Sequence, residues 1–156
     1  MKIDLVFSSE YKNTNLDEAF FIKIMELSLK EAAIKFNNIG VSVNIVGIDK
    51  IVMLNKEYRH KNMPTDVLSF PVHEKIDGDS TNYDIIDLGD IFICLPVAEK
   101  EARGEKVSLK KKIAQLAVHG FLHLAGYDHE KSDRDQRTMF ELEGKILNKL
   151  SSLPVS

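Results

Sequence analysis

Three histidines lie close together in the second half of the chain and could hold one metal ion. His119 and His123 are four residues apart in a segment with helical patterning, so their side chains project from the same face of a helix. Gly126 stands where a helix commonly ends in a left-handed residue, and the turn after it brings His129 back towards the pair. Three neutral imidazoles leave the fourth position of a tetrahedral zinc ion open, which is typical of catalytic sites. The spacing therefore predicts a site for one zinc ion formed by His119, His123 and His129.

The residue after the first histidine bears on the reaction that such a site performs. The pattern H-x-x-x-H-x-x-G-x-x-H is shared with metzincin proteases, in which a glutamate directly after the first histidine is the general base. Gly120 occupies that position here and has no side chain to accept a proton. A metal-dependent protease or amidohydrolase with metzincin-like site geometry is therefore an alternative that keeps its metal but lacks its base. Asp128 is a candidate proton acceptor or carboxylate partner of a metal-bound imidazole, or simply a turn carboxylate.

A basic segment precedes the histidines. From Lys100 to Lys112 six lysines and arginines stand against two glutamates, although the whole chain carries a net charge of −3. Lys112 lies two helical turns before His119 and on the same stripe, so we predict that it contacts a nucleic-acid backbone. Tyr58 and Tyr127 are the aromatic residues expected to stack on bases.

The composition is that of an ordinary globular protein. The chain has 156 residues, of which 44% are hydrophobic and 29% charged, enough for one domain with its own core. Cys94 is the one cysteine and cannot form an internal disulfide, which is typical of the reducing cytosol. The N-terminus lacks a signal-peptide pattern, and the longest uncharged run, 113–127, is too short and too polar to span a bilayer. We expect a cytoplasmic protein with no membrane partner.

Hydrophobic periodicity predicts the elements that must position these residues. Apolar residues alternate or run together, as strands require, over 3–7, 41–45, 67–70 and 91–95. Helical spacing and capping residues predict one helix over 16–36 and a short helix after Asp49. They predict three more helices over 97–105, 108–125 and 133–150. Asn15 is the predicted N-cap of the first helix, and 73–87 is a predicted acidic loop.

The element order β-α-β-α-β-β-α-α-α predicts the fold class. We expect a single α/β domain, α+β-like in character, over residues 1–150, with a mixed sheet of about four strands packed with helices. The metal site is expected on a helix in the C-terminal half. Residues 151–156 are expected to form a flexible tail.

Three segments carry a family resemblance. They are LNKEYRHKNMPTDVLSFP at 54–71, LGDIFIC at 88–94 and HGFLHLAGYDH at 119–129. Together they resemble the YbeY family of bacterial endoribonucleases and ribosomal RNA maturation factors, and the resemblance extends over the whole chain in length and element order. It implies the same zinc ligands, His119, His123 and His129.

The resemblance also implies an activity and its partners. The chain would be a zinc-dependent endoribonuclease that cuts single-stranded RNA, with Arg59 and His119 as catalytic residues. Arg59 and Lys61, in the YR-x-K element, would bind RNA, because a guanidinium forms a rigid fork of donors for phosphodiesters. The implied substrate is ribosomal RNA, at the 3′ end of the small-subunit RNA and in ribosome quality control, and the implied partners are the small subunit or its associated proteins. A non-catalytic ribosome assembly factor is a further alternative.

Overall fold

The structure, a computed structural model, describes residues 2–12, 14–33, 38–72, 86–127 and 132–152. Within these ranges the elements follow one another in the order predicted from the sequence. The strands are β1 (Lys2–Ser9), β2 (Asn38–Val46), β3 (Val67–Pro71) and β4 (Ile86–Cys94). The helices are α1 (Glu18–Glu31), α2 (Ile48–Arg59), α3 (Leu95–Glu105), α4 (Leu109–Leu124) and α5 (Asp133–Ser152).

The four strands form one mixed sheet in the order β1-β2-β4-β3. The strands β1, β2 and β4 run parallel to one another, and β3 pairs antiparallel with β4 at the edge of the sheet. This arrangement confirms the predicted class, a single α/β fold with a four-stranded mixed sheet. Gly89 in β4 has a φ of 124°, and the register between β2 and β4 shifts at this point.

The two faces of the sheet carry different helices. Ile91 and Ile93 of β4 join the main core together with residues of α1, α4 and α5. Cys94, the neighbour of Ile93, joins a second cluster with Ile51 and Leu54 of α2. Successive residues of a strand point to opposite faces, so α4 and α2 lie on opposite sides of the sheet.

Two helix starts differ from the sequence prediction. The N-cap of α1 is Asp17, whose side chain accepts a hydrogen bond from the backbone N–H of Phe20, and not Asn15, which has a φ of 60°. The N-cap of α2 is Gly47, and Asp49 lies inside the first turn. In both cases the chain has several residues with capping chemistry within a few positions, and the path from the preceding strand decides between them.

Some predicted segments extend beyond the described residues. Helix α1 ends at Glu31, earlier than predicted, because Ala33 has a left-handed φ of 54°, and residues 34–36 of the predicted helix lie outside the described ranges. The same holds for 73–85 of the predicted acidic loop and for 153–156 of the predicted tail, whereas α5 continues to Ser152. Among the described residues, none of the helices combines the length and the apolar character needed to cross a membrane.

Candidate functional site

Helix α4 carries two of the predicted metal ligands and has well-defined ends. The hydroxyl of Ser108 accepts a hydrogen bond from the backbone N–H of Lys111 at 3.1 Å and so caps its N-terminus. The helix ends before Gly126, which has a φ of 103°, as the sequence predicted. The buried side of α4 packs into the main core through Ile113, Ala117 and other apolar residues, which fixes how the helix is rotated.

This rotation places His119 and His123 together at the partly exposed edge of the core. The Nε2 atoms of the two rings are 3.1 Å apart, and the ring planes cross at 83° with centroids 4.5 Å apart. The side chain of His119 is 33% exposed, so it lies at the surface of the core and not inside it. The helix thus brings two imidazole nitrogens to one point that small solutes can reach.

Glu143 of α5 contacts this pair, and the sequence analysis missed it. Its Oε1 atom lies 2.6 Å from Nδ1 of His119. A signal was present in the sequence, because Glu143 stands four residues after Met139 and three before Ile146, both of which are buried. A carboxylate on the inward stripe of an amphipathic helix requires a partner, and His119 is that partner.

The contact with Glu143 defines the tautomer of His119. A carboxylate accepts hydrogen bonds only, so the proton lies on Nδ1 of His119 and donates to Glu143. In the neutral ring the other nitrogen, Nε2, then carries a lone pair, and this is the atom nearest to His123. A carboxylate that orients an imidazole in this way is the usual support of a metal-bound histidine.

The geometry of the pair fits two ligands of one zinc ion. Nitrogens at about 2.0–2.1 Å from a tetrahedral ion are about 3.3 Å from each other, close to the 3.1 Å between the two Nε2 atoms. The predicted third ligand, His129, and the predicted carboxylate Asp128 both lie outside the described residues. Within the described ranges no group of three His, Cys, Asp or Glu side chains has metal-binding geometry.

Gly120 is buried against the sheet. A Cβ atom at this position would lie 3.2 Å from Cγ2 of Ile91 in β4, closer than ordinary van der Waals contact. The position that carries the catalytic glutamate in metzincins therefore faces the sheet in this chain and has no room for a long side chain.

Arg59 and Lys61 are exposed and lie at the end of α2. The apolar side of α2 packs on the face of the sheet opposite to α4, and Arg59 is the exposed last residue of α2, beside the edge strand β3. The catalytic role that the family resemblance implies for Arg59 stays a prediction.

The contact of Lys112 with RNA was predicted for an exposed side chain, but the structure buries this side chain. Lys112 is 8% exposed, and its ammonium lies 2.9 Å from Glu101 and 2.7 Å from Glu105 of α3. Burial by itself lowers the pKa of Lys112, but the hydrogen bonds to the two carboxylates outweigh burial and leave the pKa raised. The helical stripe that carries His119 turns inward at Lys112 because α3 covers the start of α4.

Asp66 acts on the same group of charges, in which Lys112 is buried and the carboxylates are partly or largely exposed. Burial raises the pKa of Glu101, the hydrogen bond from Lys112 opposes this rise, and the neighbouring carboxylate of Asp66 adds to it. The backbone carbonyl of Asp66 also accepts a hydrogen bond from the N–H of Cys94 at 2.8 Å. This hydrogen bond joins the segment before β3 to the start of α3.

The fold and this site define a class of protein: a small α/β domain with a helix-borne histidine pair that a carboxylate orients. The model of the family Endoribonuclease YbeY matches residues 6–151. The Endoribonuclease YbeY of Sulfurihydrogenibium sp. (strain YO3AOP1) is 37% identical over 147 residues, which cover 94% of this chain and 92% of that protein. The chain belongs to the YbeY family.

Two further relatives also match over most of the chain. The Endoribonuclease YbeY of Aquifex aeolicus (strain VF5) is 45% identical over 129 residues, which cover 83% of this chain and 81% of that protein. The solution structure of TM1509 from Thermotoga maritima matches with a TM-score of 0.63 and 33% identity, and the match covers 92% of this chain and 86% of that one. Residues 6–151, which the family model matches, contain the histidine pair, Glu143 and the segment around Arg59.

Proposed function

We propose that this chain is a zinc-dependent endoribonuclease that cuts single-stranded RNA. Its zinc ligands would be His119, His123 and His129. The observation that carries the proposal is the ordered pair of imidazoles, with Nε2 atoms 3.1 Å apart and the His119 ring oriented by Glu143. Membership of the YbeY family, whose relatives are named endoribonucleases, supports RNA as the substrate.

The residues of the chain have distinct tasks in this proposal. A zinc ion bound at the pair would supply Lewis-acid chemistry, which polarises a phosphoryl oxygen and acidifies a water molecule. Glu143 keeps the proton on Nδ1 of His119, so that Nε2 remains a donor atom for the metal. Gly120 cannot supply a general base, and the proton acceptor is therefore a different group from that of metzincins.

Arg59 and Lys61 supply positive charge for the RNA backbone. Both are exposed, and the guanidinium of Arg59 can donate two parallel hydrogen bonds to one phosphate. A direct catalytic role of Arg59 requires its guanidinium to contact the phosphodiester that is cleaved at the histidines. Arg59→Ala separates the two roles, because loss of binding alone raises KM, whereas loss of transition-state contacts lowers kcat.

The proposed biological substrate is ribosomal RNA. We propose that the chain acts in the cytoplasm on the 3′ end of small-subunit RNA and in ribosome quality control, with the small subunit or its associated proteins as partners. The alternative of a protease is disfavoured by Gly120, which packs against Ile91 where a glutamate would be needed. The alternative of a non-catalytic assembly factor is distinguished by experiment.

The test compares metal content, RNA cleavage and ribosome maturation in the same set of proteins. We expect the purified chain to bind one zinc ion and to cut a labelled single-stranded RNA in preference to its duplex. His119→Ala is expected to lose both properties. His60→Asn is the matched control, because His60 is exposed, has a φ of 59° that asparagine tolerates, and lies outside the metal motif.

Three results would contradict the proposal. Equal cleavage by the wild type and His119→Ala would show that a contaminating nuclease is responsible. Turnover of peptides without turnover of RNA would favour the protease. Full rescue of a ribosome maturation defect by a His119→Ala protein without cleavage would favour the assembly factor.

A further inference from the structure

An exposed tyrosine ring next to Arg59 stands at the end of an aromatic row. Tyr58, in the last turn of α2, is 59% exposed. Its ring contacts Phe70 of β3 edge to face, with centroids 5.1 Å apart. Phe70 in turn contacts Phe92 of β4 in the same manner at 5.8 Å. Both phenylalanines are only partly buried, so the row continues from the surface into the small cluster under α2.

The contact with Phe70 holds the ring of Tyr58 in place without covering most of it. Edge-to-face contact is a favoured arrangement of aromatic rings, and it uses the edge or one face of Tyr58 while much of the ring stays in contact with solvent. A free surface tyrosine would have to be ordered before it could bind a planar ligand, whereas this one is already supported from beneath.

The backbone beside Tyr58 is also fixed. His60 ends α2 in the left-handed conformation with a φ of 59°, and the N–H groups of His60 and Lys61 donate to the carbonyls of Lys56 and Asn55. The side chain of Asn55, which is 3% exposed, donates to the carbonyl of Met63 at 2.8 Å. The segment that carries Arg59 and Lys61 therefore leaves the helix along one defined path.

The exposed residues that flank Tyr58 in the sequence are mainly basic. Lys56, Arg59 and Lys61 are all exposed, and Glu57 is the acidic residue among positions 56 to 61. A planar apolar face beside several cations is complementary to one kind of ligand, an unpaired base with its phosphates. An apolar peptide would leave the cations unused, and duplex RNA would hide its base faces.

We infer that Tyr58, supported by Phe70 and Phe92, is a stacking site for an unpaired RNA base, and that Arg59 and Lys61 bind the adjoining phosphates. This inference rests on the proposed function in taking RNA as the ligand. The site lies where the last turn of α2 meets β3, and it adds a contact with the RNA strand to those made at the histidines. It accounts for selection of single strands, because only an unpaired base offers its face.

The test uses the full-length protein and a fluorescein-labelled oligoadenosine of eight nucleotides with 2′-O-methyl groups, checked on a gel to be intact. A second oligonucleotide of the same length has abasic residues in place of the adenosines. Tyr58→Leu keeps an apolar side chain over Phe70 but removes the aromatic face, and Tyr58→Phe keeps that face. Thermal unfolding confirms that both variants are folded.

Loss of one stacked base is expected to weaken binding at least about fivefold. We expect Tyr58→Leu to show this loss with oligoadenosine and not with the abasic strand, and Tyr58→Phe to bind like the wild type. Equal binding of oligoadenosine by Tyr58→Leu and wild type would overturn the inference. If Tyr58→Leu weakened the binding of both oligonucleotides equally, the inference would also be overturned. The tyrosine ring would then contribute to binding without stacking on a base.

The outcomes separate this inference from the proposed function. If the wild type cleaves RNA and Tyr58→Leu binds as tightly as wild type, the stacking site alone is wrong. If the wild type shows base-dependent binding through Tyr58 but no cleavage, the nuclease is wrong and the stacking site stands. A wild-type protein that binds neither oligonucleotide would overturn the stacking site whatever its cleavage activity.

Discussion

The carboxylate of Glu143 lies 2.6 Å from Nδ1 of His119, and this contact joins the last helix of the chain to the helix of the histidine motif. The two residues are 24 positions apart, so neither local spacing nor the motif itself reveals the pair. The contact gives α5 a role in the site, because without Glu143 the His119 ring loses the acceptor that defines its tautomer and its rotation.

Replacement of Glu143 tests this role through metal affinity. Glu143→Gln keeps the size of the side chain but removes its charge, so the hydrogen bond to His119 is weaker and less selective for one tautomer. We expect zinc affinity to fall about 10- to 100-fold, measured by competition with a chromophoric chelator. Glu141→Gln is the control, because Glu141 is exposed on the same helix. Unchanged affinity in Glu143→Gln would show that the carboxylate only stabilises the fold.

Lys112 is expected to matter for stability. Lys112→Met leaves Glu101 and Glu105 without their shared cation in a site where the lysine side chain is 10% exposed. Removing one partner from a fully buried ion pair costs about 3–5 kcal/mol, and the partial exposure of both glutamates reduces this to about 2 kcal/mol of unfolding free energy in urea. Lys111→Met, at an exposed neighbouring position, is expected to change it by less than about 0.5 kcal/mol. Equal stability of the two variants would contradict the buried cluster.

Glu101 predicts a pH dependence of stability. Its folded pKa is raised from 4.5, first by burial and also by Asp66, against the opposing effect of Lys112. Glu101 therefore keeps its proton to a higher pH in the folded state than in the unfolded state. The contribution of this proton to the free energy of unfolding is complete below pH 4.5 and is lost as the pH rises through the raised pKa. Glu101→Gln removes this loss.

The measurement is the unfolding free energy of wild type and Glu101→Gln from acid to neutral pH. We expect the variant to gain stability relative to wild type as pH rises. Glu57→Gln, at an exposed position on α2, should show no such trend. A difference between wild type and Glu101→Gln that stays constant across this range would mean that Glu101 titrates alike in the folded and unfolded states.

Two glycines are expected to respond to alanine in opposite ways. A Cβ atom on Gly89 would lie 2.1 Å from the carbonyl oxygen of Phe70, and the φ of 124° disfavours any side chain. Gly89→Ala should therefore lower the free energy of unfolding by more than about 2 kcal/mol and loosen the pairing of β3 with β4. Gly104 of α3 has no atom within 4 Å of such a Cβ, and Gly104→Ala should stabilise by about 0.5–1 kcal/mol. Chemical denaturation measures both, and a stable Gly89→Ala protein would contradict the close approach of β3.

The amino-acid sequence determined the features of this protein that depend on near neighbours. The order of strands and helices follows from hydrophobic periodicity, which alternation and helical spacing express directly. The pairing of His119 with His123 follows from a separation of four residues on one helix, and the stop at Gly126 follows from its tolerance of positive φ. These effects act between residues that are close in the sequence, so the sequence alone is enough to predict them.

The tertiary structure decided the relationships between elements that are distant in the chain. Whether Lys112 faces solvent or Glu101 depends on how α3 lies over α4, and the carboxylate partner of His119 depends on where α5 crosses. The layer that carries Arg59 depends on which face of the sheet α2 covers. Periodicity shows which side of each helix is apolar but not which charged side chain another element brings against it, and that is settled only when the elements pack.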